Sequence, residues 1–202
     1  MVEENTIKKY EQYLEMLAPY FKKYFEAQAP YIFCKEGCAI CCETGVYPFG
    51  EVEFDYAMLG YEALTLEQKE EIQAEVKKIK LEKEKSGIKD FMHKCPFLLN
   101  KKCSIYNHRG IICRSYGLMY FTEDDKGELA YKMPCCVDDG LNYSNVYDPE
   151  KGTITTEKYK KTGIEIEPLS YNVGLKFLLK NSMTEKLELE FTEQKAIIDW
   201  FE

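Results

Sequence analysis

No apolar run in this 202-residue chain approaches the roughly 18–20 residues that a membrane-crossing helix needs, so no membrane span is expected. The N-terminus, MVEENTIKKY, has acids near its start and no apolar stretch, unlike a secretory signal, and the expected location is cytoplasmic. An excess of basic charge is also missing. Lys and Arg total 27 against 35 Asp and Glu, a formal net charge of −8, which argues against general nucleic-acid binding. Arginine is scarce, with Arg109 and Arg114 as the only two, and His93 and His108 are the only histidines. No internal repeat and no low-complexity linker divides the chain. The composition, 45% hydrophobic and 14% aromatic, excludes disorder and supports one sizeable core, so a single domain over residues 1–202 is expected.

Cysteine is what the sequence does have. There are nine, an odd count, with Cys41–Cys42 and Cys135–Cys136 adjacent. Thiols in a reducing compartment stay free, so clustered ones read as metal ligands or catalytic groups rather than as disulfides. The first block is Cys34-Lys-Glu-Gly-Cys38-Ala-Ile-Cys41-Cys42, where Gly37 permits the tight turn that converging sulfurs require. This spacing suits an iron–sulfur cluster or a zinc site. Cys95, Cys103 and Cys113 lie too far apart for one knuckle and suit ligands delivered by separate turns to a shared site. Cys135 or Cys136 would complete the set from the far side. Each four-ligand centre takes four cysteines, so nine permit two centres without requiring them.

The periodicity predicts a mainly helical α+β domain with a cysteine-rich metal-binding core over 34–136. Apolar residues at three- and four-residue steps mark a helix over 5–27, ended by Pro30. A loop runs from Cys34 to Gly45, and Glu51–Leu59 forms a short helix. Thr65–Ser86 is the clearest helix, with a Thr65–Gln68 capping box, a stop at Gly87 and a stripe of Leu66, Ile72, Val76 and Ile79. Residues 117–122 and 128–133 flank Asp124-Asp125-Lys126-Gly127 and predict a small β-hairpin. Ser170–Lys180 reads as a helix, Lys186–Phe191 as a strand and Glu193–Phe201 as a terminal helix.

Several irregular motifs then occur in series: Cys41-Cys42, Cys95-Pro96-Phe97-Leu98, Cys103-Ser104-Ile105-Tyr106 and Cys113-Arg114-Ser115-Tyr116. Together they resemble the YkgJ-like family, a zinc- or iron-chelating CxxCxxCC domain, over roughly residues 34–116. The resemblance implies a metal more firmly than a reaction, with Cys34, Cys38, Cys41, Cys42, Cys95, Cys103 and Cys113 as ligands. Two departures stand out. The first gap is C-x-x-x-C, and Gly110 replaces the family's usual proline after Arg109.

Residues 89–114 hold six lysines and arginines against one acid, Asp90. Guanidinium donors at Arg109 and Arg114 would offset the negative charge of a thiolate centre, although an anion site or a solvated surface fits the same strip. Tyr106, Tyr116 and Tyr120 are expected to wall the site, and His93 and His108 are alternative ligands. The leading reading is a cytoplasmic metal-binding protein with an iron–sulfur centre, preferred over zinc because paired C-x-x-C knuckles are absent. Its partner is then the metal or cluster itself; no protein partner is specified. The C-x-x-x-C-x-x-C spacing also occurs in radical S-adenosylmethionine enzymes, but the chain is too short for their barrel. The YkgJ-like domain resembles part of flagellin lysine-N-methylases, so S-adenosylmethionine-dependent methylation of protein lysine is the enzymatic alternative. No G-x-G-x-x-G loop supports it. A structural zinc module that docks a partner is the third reading.

Overall fold

The computed structural model describes residues 2–35, 37–123 and 127–201. In chain order the elements are α1 (Glu4–Ala27), α2 (Ile40–Glu43), β1 (Pro48–Phe49), α3 (Glu51–Glu62), α4 (Leu66–Ser86), β2 (Leu98–Leu99), β3 (Lys102–Cys103), α5 (Ile112–Ser115), β4 (Tyr120–Glu123), β5 (Leu129–Lys132), β6 (Tyr147–Asp148), β7 (Thr153–Ile154), α6 (Thr156–Thr162), α7 (Leu175–Leu179), α8 (Ser182–Lys186) and β8 (Lys195–Ala196). The strands pair only two at a time, all antiparallel, among helices, consistent with the α+β class. No helix among the described residues is long and apolar enough to cross a membrane.

α1 buries Tyr10, Tyr13, Leu14, Leu17 and Phe21 on one stripe, the periodicity that predicts it. Pro30 falls in a 3₁₀ turn, Ala29–Tyr31, just past its end. α3 is buried on two sides. Val52 and Tyr56 join α1 in one core, while Ala57 and Tyr61 join Ile72, Val76 and Ile79 of α4 in a second. Thr65 and Gln68 form the capping box of α4, and Gly87 ends it at φ 66°. Leu66 departs from the expected stripe. At the first helical position it is 73% exposed.

β4 and β5 are the predicted hairpin, in register from Tyr120↔Lys132 to Glu123↔Leu129. Its turn residues Asp124, Asp125 and Lys126 lie outside the described residues. The C-terminal third differs from expectation. The helix predicted over Ser170–Lys180 is confined to α7, because Tyr171 instead bridges to Tyr120. Lys186–Phe191 is no strand. α8 ends at Lys186, Glu188 takes φ 50°, and the Leu189 N–H returns to the Thr184 carbonyl at 2.9 Å. Leu187, Leu189 and Phe191 bury against the first core without a ladder, so the alternation records one-sided packing alone. The predicted terminal helix is instead β8, paired with β1, followed by a 3₁₀ turn, Ile197–Asp199. Trp200 fastens it by donating Nε1–H to the Phe49 carbonyl at 2.8 Å.

Candidate metal centre

The first cysteine block is a turn followed by one turn of helix, where sequence reading expects only loop. The Cys38 N–H donates to the Lys35 carbonyl at 2.9 Å across a tight turn that holds Gly37 at φ 84°, a left-handed conformation that costs glycine nothing. α2 then carries Cys41 and Cys42, whose sulfurs are 3.9 Å apart. Backbone bonds fasten this block to the next. The Cys95 N–H donates to the Cys42 carbonyl at 2.8 Å, and Gly45 and His93 exchange bonds of 3.0 and 2.9 Å. Asn100 (φ 48°) and Lys101 (φ 60°) make the two-residue left-handed turn between β2 and β3, which sets Cys103 opposite Leu98. Cys113 rides on α5, where Arg114 donates Nη2–H to the Asn107 carbonyl at 2.9 Å.

Cys34, Cys38, Cys41, Cys42, Cys95, Cys103 and Cys113 line one cavity of about 740 Å³. Phe49, Phe97, Ile105 and Ile197 of the second core line it too, as do Tyr106, Tyr116, Arg109 and Arg114. The Arg109 guanidinium lies 3.9 Å over the Tyr106 ring. Tyr120 does not line this cavity, and neither histidine does. His93 is buried with Nδ1 2.8 Å from the Lys94 carbonyl, and His108 packs on the Tyr56 ring with centroids 4.9 Å apart. All nine cysteines are free. Among the described residues, no three Cys, His, Asp or Glu side chains already form a set that could hold a metal ion.

Burial and neighbouring sulfurs disfavour the charged form of several of these thiols. Burial pushes the Cys95 and Cys103 thiols up, and that of Cys113 up to about 12. The Cys41 thiol rises most through its contact with Cys42 and then through burial. Burial raises Cys34 as well, and charge on Cys41 adds a smaller rise at Cys34, Cys95, Cys103 and Cys113. The Arg109 guanidinium works against this at Cys41, Cys103 and Cys113. A soft cation in the cavity would remove the same penalty.

The remaining polar atoms fit such a centre. Tyr47 is 2% exposed and lines the cavity, yet its hydroxyl has no hydrogen-bond partner among the described residues. Arg109 Nε and Arg114 Nε are buried and unpartnered in the same sense. Three orphaned donor groups around seven thiols are the complement of a sulfur-rich anionic group.

A family model for the CxxCxxCC domain, described as a zinc- or iron-chelating domain, matches residues 33–137, just over half of the chain. The chain belongs to the CxxCxxCC family. No curated protein and no solved structure gives a significant match. The CxxCxxCC match runs past the motif series and takes in Cys135 and Cys136. These two do not line the cavity; their 3₁₀ turn, Cys135–Val137, packs against α2 instead. Cys135 is exposed, and burial pushes the Cys136 thiol up to about 12. Asn142 links them to the first block. Fully buried, it donates Nδ2–H to Cys34 Sγ at 3.2 Å and to the Gly117 carbonyl at 2.8 Å, while its backbone hydrogen-bonds the Cys136 sulfur.

The departure from the CxxCxxCC pattern at Gly110 has a packing cause. A Cβ there would stand 2.6 Å from Phe49 Cζ, so the ring occupies the space a proline would need. Sequence reading missed Tyr47, Asn142 and Glu53. Glu53 had a usable signal, an acid three residues after a helix-starting Gly50, whose N–H it accepts at 3.0 Å. Tyr47 and Asn142 had none.

Proposed function

We propose that this CxxCxxCC protein holds an iron–sulfur centre with thiolate ligands drawn from Cys34, Cys38, Cys41, Cys42, Cys95, Cys103 and Cys113, flanked by Cys135 and Cys136. The observation that carries this reading is the single cavity lined by seven thiols with three orphaned donor groups around it. One tetrahedral zinc uses four ligands at about 2.3 Å from sulfur and leaves three of these seven thiols and most of this volume unused, whereas a polynuclear cluster fills more of it. When bound, such a centre supplies electron transfer or Lewis acidity. The chain's own part is to gather the sulfurs, which metal binding draws in against their mutual repulsion. Arg109, Arg114 and Tyr47 donate toward them, and Tyr116 keeps water away.

The test is purification without oxygen, followed by iron, zinc and acid-labile sulfide analysis and an absorption spectrum. Iron with matching sulfide supports the reading. Zinc without sulfide moves it to a zinc–thiolate centre, and absence of both metals overturns it. Tyr47→Phe should leave metal content unchanged but lower the reduction potential, because a hydroxyl that donates to sulfur favours the more negative, reduced state. Redox titration against the parent protein checks it.

A further inference from the structure

The cavity carries a second chemistry besides its sulfurs. Lys35 from the first cysteine block, Lys101 from the β2–β3 turn, and Arg109 and Arg114 around Cys113 all line it, as does Lys102. No Asp or Glu lines it among the described residues. Acids outnumber cations 35 to 27 over the whole chain, so the described part of the lining is opposite in sign to the chain as a whole. The thiolates of a metal centre offset only part of it. Four thiolates around one Zn²⁺, or around an iron–sulfur core of charge 2+, leave about two negative charges against these cations, by simple addition of formal charge.

Geometry gives the surplus a direction. The Arg109 guanidinium carbon stands 3.9 Å from the centroid of the Tyr106 ring, and its Nε is buried and unpartnered among the described residues. A guanidinium fixed by stacking presents an edge whose parallel N–H bonds match the two oxygens of a carboxylate or phosphate. Tyr106 is 59% exposed and Arg109 half-buried, so the pair stands at the rim of the cavity with Nε turned away from solvent. The cavity volume, about 740 Å³, falls in the roughly 300–1,000 Å³ range of small-molecule sites, and Phe97, Leu98 and Ile105 give it an apolar wall.

We propose that the cavity binds a small organic oxyanion, a carboxylate or phosphate of metabolite size. Arg109 holds the charged group at the mouth, Lys35 and Lys101 draw it in, and the apolar wall takes its body. This goes beyond the metal reading and does not depend on which metal is held. Its consequence is an open centre, where a second molecule reaches the metal's surroundings, in contrast to a closed structural site.

The test is calorimetric titration of the protein, as purified without oxygen, with inorganic phosphate and separately with malonate, at low and high ionic strength. Metal content is read on the same samples. One saturable equivalent is expected for at least one anion, weakening as salt rises. The anion bound more tightly tells phosphate from carboxylate. Arg109→Gln should weaken binding by about tenfold or more, the loss of a charge-assisted fork. Lys101→Gln, on an exposed turn, should weaken it by roughly threefold, and Lys22→Gln on α1 should not change it. No saturable binding of either anion overturns the proposal, as does equal weakening by Lys22→Gln. A preparation that holds no metal yet binds one saturable equivalent of anion would count against the metal centre alone.

Discussion

Cys41→Ser is expected to empty the centre. Serine keeps nearly the size of cysteine but replaces a soft thiolate with a poor donor for iron or zinc. Cys41 is a consequential position because its sulfur lies 3.9 Å from that of Cys42 and lines the cavity beside thiols of both blocks. Metal per chain should fall to a small fraction of the parent value, and Cys113→Ser should behave alike. Cys135→Ser, outside the cavity, should retain most of the metal. Structural thiolate sites contribute about 10–16 kcal/mol of apparent binding energy, which here is energy that closes loops. The emptied variant should therefore melt at lower temperature, with faster amide exchange over 37–45 and 91–116. If Cys41→Ser and Cys103→Ser both keep full metal and an unchanged spectrum, the cysteines form a thiol redox system rather than one centre.

Glu53→Ala is the second large effect, and it acts on the scaffold. Glu53 is fully buried in the first turn of α3, and its two carboxyl oxygens accept the Gly50 N–H and the Ile111 N–H, each at 3.0 Å. It thereby ties α3 to the strand of chain that enters α5, two residues before Cys113. Removing the carboxyl orphans two buried N–H groups at about 1–3 kcal/mol each, so the expected loss is roughly 3 kcal/mol. Burial raises the Glu53 carboxyl to about 7, against the pull of those same bonds. The folded state therefore binds the proton more tightly than the unfolded chain. This group favours folding most below pH 4.5, and its contribution falls as pH rises towards 7, by roughly 3 kcal/mol in all. Denaturant unfolding at a series of pH values should show that decline in the parent, and Glu53→Gln should flatten it. An unchanged slope in Glu53→Gln would assign the pH dependence to other groups.

The parts of the fold legible in the sequence are those with local causes. α4 is marked by Thr65, Gln68 and Gly87, and α1 by its aromatic stripe; neither needs a distant partner to be recognised. The C-terminal third was misread because its outcome is set elsewhere. Lys195–Ala196 becomes a strand only because Pro48–Phe49 is there to pair with it, and Leu187, Leu189 and Phe191 alternate in burial without a ladder. The cysteines were legible as one clustered set from their number, spacing and serial motifs. Their gathering from separate turns was expected too; the Cys95–Cys42 and Gly45–His93 backbone bonds that bring it about were not, because no spacing encodes them. For the same reason Tyr47 and Asn142 went unseen, since each gains its role from a neighbour far along the chain. Cys135 or Cys136 entered the ligand set by counting alone, and the structure sets their turn against α2 rather than in the cavity lining.

The claim that thiolates from both blocks hold the metal is met most directly by X-ray absorption at the metal edge, on protein purified without oxygen. The predicted first shell is all sulfur, at about 2.3 Å for a metal held by cysteine, with metal–metal scattering beyond it for a cluster. A first shell dominated by nitrogen and oxygen would contradict it.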